Sequence, residues 1–106
     1  MDPDITVLRV SGRLELGRDS QRLEELVAWL VADGRRRLLM DLLQVDYIDS
    51  AGIGALAMAA GQVKQAGGKL ALVVAEGRVK TVLHFAGLDS IMPLADSVEQ
   101  AAGRLA

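Results

Sequence analysis

Three short apolar runs in this chain are each followed by a segment with helical spacing of apolar residues, and that alternation limits the fold most. Ile5-Thr6-Val7-Leu8-Arg9-Val10 is β-branched and partly alternating, and it stops at Ser11-Gly12, so it reads as a strand. Gly12-Arg13-Leu14-Glu15 then enters a loop. Arg37 to Leu43 and Lys69 to Val74 are nearly continuous apolar runs of strand length, as expected of strands covered on both faces.

The segments between the runs are helical in pattern. Asp19-Ser20 is placed to cap a helix in which Leu23, Leu26, Val27 and Leu30 fall at i, i+3, i+4 and i+7. Glu24 and Glu25 lie early in it, where the helix dipole favours acids, and Gly34 suits its end. Trp29 reads as a half-buried packing residue at the rim of that face. After the second run, Ile53, Leu56, Ala57, Ala60 and Val63 define an inward face that ends at Gly67-Gly68. Val79, Val82, Leu83 and Ala86 form the next, closed by Gly87-Leu88 as a C-terminal cap. Ile91-Met92-Pro93-Leu94 suits a short edge strand, where a proline is tolerated, and Asp96 or Ser97 caps a final helix. The expected fold is α/β, one domain over residues 1–106. It has a mixed, mainly parallel four-stranded sheet covered by about four helices. Strands are expected near 5–11, 37–42, 69–74 and 91–94, and helices over 20–33, 51–66, 77–86 and 96–105.

Composition removes several functions. Aromatic residues are 3% of the chain, so Leu, Val, Ile and Ala must fill the core. With 12 basic and 14 acidic residues there is no electrostatic case for nucleic acid or an anionic membrane surface. The absence of cysteine excludes disulfides and thiolate metal sites. Met1-Asp2-Pro3-Asp4 is not a signal-peptide opening, and no apolar run approaches the roughly 18 residues of a membrane span. A soluble cytoplasmic domain is expected, with no direct membrane insertion.

The stretch Tyr47-Ile48-Asp49-Ser50-Ala51-Gly52-Ile53-Gly54-Ala55-Leu56 joins the central run to its helix. Asp49 and Ser50 are both good N-cap residues, which puts the Ser50 hydroxyl at the positive end of a helix with little bulk around it. A phosphate there would meet free backbone N–H groups. A second stripe descends the same helix through Ser50, Gly54, Met58 and Gly61. It is flat and small apart from one adaptable apolar side chain, which suits a face that lets a partner backbone come close.

Asp49-Ser50-Ala51-Gly52-Ile53-Gly54, preceded by Val45-Asp46-Tyr47-Ile48, resembles the phosphorylation loop of STAS domains. That family takes in the bacterial anti-sigma factor antagonists and the cytoplasmic tails of sulfate transporters. The similarity extends from Ile5 to the C-terminus, including the segment Val79 to Leu88. It implies that Ser50 is the serine phosphorylated by a partner anti-sigma factor kinase. It implies a phosphatase as a second candidate partner, and an acid at Glu15 close to the loop. A further strand ahead of Ile5 is also usual in the family, and this chain starts too late to supply it fully. Stripe and resemblance together assign partner contact to Asp49, Ala51, Gly52, Gly54, Met58 and Glu15. The alternative keeps the fold without the switch, as an interaction subunit of a transporter or signalling assembly.

Catalytic readings are weaker. His84, the lone histidine, falls with Gly77, Lys80 and Thr81 on the solvent side of its helix. No Gly-x-Ser-x-Gly elbow surrounds Ser50, and no spacing suggests a metal, so the protein is read as a binding module without cofactor. The three arginines Arg35-Arg36-Arg37 read as a solvated strand entrance. Gly52-Ile53-Gly54-Ala55-Leu56-Ala57 matches a dinucleotide fingerprint, with Glu76 some distance beyond. Against that, Gln44 to Ser50 is expected to separate the glycines from the strand end, and the chain is short for such a fold.

Overall fold

A computed structural model of the chain describes residues 4–15 and 17–105, with backbone alone at Arg18 and Asp19. In order it comprises β1 (Ile5–Leu14), α1 (Arg18–Ala32), β2 (Arg37–Ile48), α2 (Ser50–Gln65) and β3 (Lys69–Val73). Then follow α3 (Arg78–Phe85), a single 3-10 turn (Leu88–Ser90), β4 (Leu94–Ala95) and α4 (Val98–Leu105). The sheet order is β1-β2-β3-β4, and every pairing is parallel. Parallel neighbours need a crossover, and each successive strand pair here has one that contains a helix. The largely parallel sheet and four helices expected from the alternation are therefore present, with parallel pairing throughout. Among the described residues β1 pairs only with β2, so it forms one edge.

Side-chain alternation along the central strands builds two cores. Leu38, Met40, Leu42, Leu70 and Leu72 point to a layer filled by Leu23, Val27, Leu30, Leu56, Val63 and Leu83 of α1, α2 and α3. Leu39, Ala71, Val73 and Ala95 point the other way, onto Ala101 and Leu105 of α4. Cover on both faces is why β2 opens as an unbroken apolar run.

Past Asp41 the period of β2 changes, with Leu42, Val45 and Ile48 buried and the residues between them exposed. Two register shifts account for this. Arg9 pairs with Asp41 but Ser11 with Gln44, and Gly12 pairs with Val45 but Arg13 with Tyr47. Each shift places one extra residue on β2, converting a period of two into a period of three. Gly12 meets the second bulge at φ +82°, a conformation other residues rarely adopt. Beside the first bulge, Asp41 Oδ1 accepts the Leu43 N–H at 2.9 Å. The expected end of β2 at residue 42 is thus too early, because the bulges erase the alternation that marks a strand. Beyond the five-residue β3, the ends of β1 and β2 project as a two-stranded ribbon.

Other elements correct the sequence reading locally. Helix α1 starts at Arg18 behind Gly17, so Ser20 is not its cap, and the Asp19 side chain lies outside the described atoms. The Ser20 hydroxyl is buried and donates to the Glu15 carbonyl at 2.5 Å, tying the loop to the helix. Among the apolar residues of α1, only Leu23, Val27 and Leu30 are buried. Leu26 and Trp29 sit about 60° and 120° around the helix from that stripe, where cover runs out. Trp29 is accordingly 62% exposed rather than half-buried. Helix α2 touches α1 as well as the sheet. Its buried arc therefore takes in Gly52, Ala55 and Ala59 besides Leu56, Ala60 and Val63, and leaves Ile53 and Ala57 partly exposed. Strand β4 begins at Leu94 because the turn at Leu88–Ser90 continues through Met92, whose N–H bonds the Leu88 carbonyl at 3.1 Å. His84 is exposed as expected, and its Nδ1 lies 2.5 Å from Asp89 Oδ2, which holds the Asp89 carboxyl below its usual range.

Candidate functional site

The ribbon and α2 meet at Asp49. This residue is extended, at φ −110° and ψ −175°, and its Oδ1 accepts the Gly52 N–H at 2.9 Å. Its carbonyl accepts the Ile53 N–H at 2.9 Å, opening the helix, and its own N–H donates to the Leu14 carbonyl at 3.2 Å. One side chain thus caps α2 while the same backbone ties it to the end of β1. Asp49→Ala is expected to lower stability by about 1 kcal/mol, or about 4–8 °C in Tm, by thermal unfolding, with Asp49→Asn close to the parent.

Ser50 is the first residue of α2 and is exposed. Its hydroxyl makes no hydrogen bond among the described residues, so it is open to modification. A phosphate on it would find the Gly52 N–H already taken by Asp49, which reduces the set of free donors expected from the sequence. Gly54 is exposed, with nothing within 4 Å of where its Cβ would stand, and the same holds for Gly61. Met58 lies between them and is 61% exposed. Ser50, Gly54, Met58 and Gly61 therefore form the open stripe expected.

Two other assigned residues sit differently. Ala51 is half-buried, while Gly52 is buried and faces inward. A Cβ at Gly52 would stand 2.3 Å from the Leu14 carbonyl oxygen and 2.9 Å from Ile48 Cγ1. Gly52 is thus no surface contact; it lets the helix approach the β1 end. Glu15 adjoins that end and is half-buried. Its carboxylate receives Arg13 Nε and a terminal Arg13 nitrogen at 3.2 Å each. That hydrogen bond, more than any other influence, raises the Arg13 guanidinium above its ordinary pKa. Arg13 also lies over the Tyr47 ring, 4.1 Å from its centre, as its cross-strand partner. Arg13, Tyr47 and Glu15 therefore form one patch on the ribbon. Sequence reading missed Arg13 and Tyr47 as a pair because their contact depends on the bulged register.

The nucleotide reading fails for a different reason than the sequence suggested. β2 runs to Ile48 and α2 starts at Ser50, so almost nothing intervenes. However, Gly52 and Gly54 are the third and fifth residues of the helix, whereas a dinucleotide loop needs its first glycine in the turn. Glu76 is engaged by Lys80 at 2.6 Å. Among the described residues no group of three or more His, Cys, Asp or Glu could hold a metal, and no helix is long and apolar enough to cross a membrane.

A parallel four-stranded sheet whose central strand feeds a capped, exposed serine at a helix start defines a class of small α/β domain. The model of the STAS domain family matches residues 1–101, and the chain belongs to that family. BtrV of Bordetella bronchiseptica, assigned as an anti-sigma factor antagonist, is 38% identical over 84 residues, covering 79% of this chain and 72% of BtrV. The crystal structure of an anti-sigma factor antagonist from Mycobacterium paratuberculosis superposes with a TM-score of 0.83 at 25% identity, over 99% of this chain and 88% of that one. The phosphorylated form of the Bacillus cell fate determinant SpoIIAA shares the fold, with a TM-score of 0.69 at 18% identity, over 99% and 94% of the two chains.

Proposed function

We propose that this protein is an anti-sigma factor antagonist switched by phosphorylation of Ser50. Unphosphorylated, it binds an anti-sigma factor that is also a serine kinase, and the sigma factor is freed. Phosphorylated, it lets go. The observation that carries this reading is the exposed Ser50 hydroxyl at the head of a flat stripe, directly after Asp49, which caps the helix. The naming of BtrV and of the mycobacterial protein supports the role. That SpoIIAA has a phosphorylated form supports the switch. Partner contact is assigned to Ser50, Gly54 and Met58 on α2, with Asp49, Ala51 and Glu15 beside them. The reading is tested by incubating the protein with its cognate anti-sigma factor and ATP and mapping the modified residue by mass spectrometry. A single phosphate on Ser50, absent from Ser50→Ala, is expected; modification elsewhere would remove the switch.

Met58→Asp probes the surface separately. Burying an unpaired carboxylate in an interface costs about 2 kcal/mol or more, so partner affinity should fall roughly thirtyfold. Because Met58 is exposed in the free domain, Tm should hold within a few degrees. A folded variant with unchanged affinity would show that the partner docks elsewhere.

A further inference from the structure

A cleft of about 540 Å³ lies between α2, the start of β3, the residues after the 3-10 turn and the end of α4. Its floor is apolar, formed by the buried Ala60, Leu70, Met92 and Leu105, and Ile91 stands exposed at its side. Among the described residues its charged lining is Lys64, Lys69 and Arg104, with no acid. Among the described residues none of these three cations has an ion-pair partner. Elsewhere Arg9 meets Asp41, Arg13 meets Glu15, Arg35 meets Asp33, and Lys80 meets both Glu76 and Asp96. Arg22, Arg36 and Arg78 likewise have no ion pair among the described residues, but here three such cations line one apolar cleft together.

Helix ends do not cancel that charge. Lys64 and Arg104 lie in the last turns of α2 and α4, where the dipole favours cations. Two helix C-termini amount to about −0.5 each, against three full positive charges, leaving a surplus of about +2. We propose that this cleft binds a small amphipathic anion, with an apolar body on the Ala60–Leu70–Met92 floor and an acidic head among Lys64, Lys69 and Arg104. The cleft falls within the range of about 300–1,000 Å³ typical of small-molecule sites. The proposal stands apart from the anti-sigma role, since it needs neither Ser50 nor a partner protein.

The test is a titration of the isotope-labelled protein with octanoate, followed through its backbone amide signals, with octanol and acetate as matched controls. Octanoate is expected to give saturable shifts centred on Ala57, Gly61, Gly68 and Met92, with half-saturation near or below about 1 mM. Octanol and acetate should each bind about tenfold more weakly. Raising the salt should weaken octanoate, because the head stays near solvent. Lys64→Glu/Lys69→Glu, both at exposed positions, should weaken octanoate about tenfold while leaving the remaining spectrum in place. Equal binding of octanol would make the cleft a neutral apolar groove, and equal binding of acetate would leave an adventitious ion only. Either result, non-saturable shifts, or an unaffected double variant would overturn the proposal.

Discussion

Gly52→Ala is expected to destabilise the domain by about 2–4 kcal/mol, whereas Gly54→Ala, two residues along the same helix, should stabilise it by about 0.5–1 kcal/mol. Intrinsic propensity favours alanine at both positions by about 1 kcal/mol. The difference is what the new methyl group meets. At Gly54 it meets nothing within 4 Å. At Gly52 it would stand 2.3 Å from the Leu14 carbonyl oxygen, a backbone atom that cannot swing aside. Relief requires the first turn of α2 to move off the β1 end. That movement strains the Asp49 N–H bond to the same carbonyl and the Asp49 cap on Gly52. Overpacking costs about 1–3 kcal/mol, and each weakened hydrogen bond about 1 kcal/mol, against a total stability of about 5–15 kcal/mol. Urea unfolding of both variants measures the contrast in one experiment. Equal midpoints would show that the close approach of α2 and β1 is not a constraint on the fold.

That contrast also marks the limit of what the sequence discloses. The fold class was legible because periodicity is local: Leu38, Met40 and Leu42 report one face of β2, and Leu39 the other. Ser50 and Asp49 were legible for the same reason, since an N-cap is defined by its immediate neighbours. Features that depend on two segments were not. In sequence Gly52 reads as part of the partner surface, because its inward direction is set by the Leu14 carbonyl, thirty-eight positions away. The end of β2 was hidden by bulges that exist only in its pairing with β1. Arg13 and Tyr47 meet through that same register. Trp29 looked half-buried because the sequence gives an apolar stripe without the width of the surface that covers it.

Phosphorylation of Ser50 is expected to weaken partner binding by about 100-fold or more, about 2.7 kcal/mol, while changing domain stability by less than about 1 kcal/mol. In the free domain the phosphate sits in water at a helix N-terminus, where the dipole favours it. The Asp49 carboxylate alongside opposes that gain and already holds the Gly52 N–H, so the two effects nearly offset. In the proposed complex the same group would lie in a close interface on the Ser50–Gly54–Met58 stripe. There it must shed water and fill space, with Asp49 beside it and Glu15 in the neighbouring patch. Those costs fall on the bound state alone. Ser50→Ala removes the acceptor oxygen without adding bulk, so it should bind like the unmodified chain and resist phosphorylation. Ser50→Asp carries less charge than a phosphate and should fall between the two.

One phosphate on Ser50 is expected to separate binding from folding. This is tested most directly by titrating the cognate anti-sigma factor into the unmodified and the Ser50-phosphorylated protein by calorimetry, with the Tm of each form recorded beside it. Affinity lower by about 100-fold or more is expected for the phosphorylated form, at a Tm within a few degrees of the unmodified one. Equal affinities, or loss of binding that follows loss of folding, would contradict it.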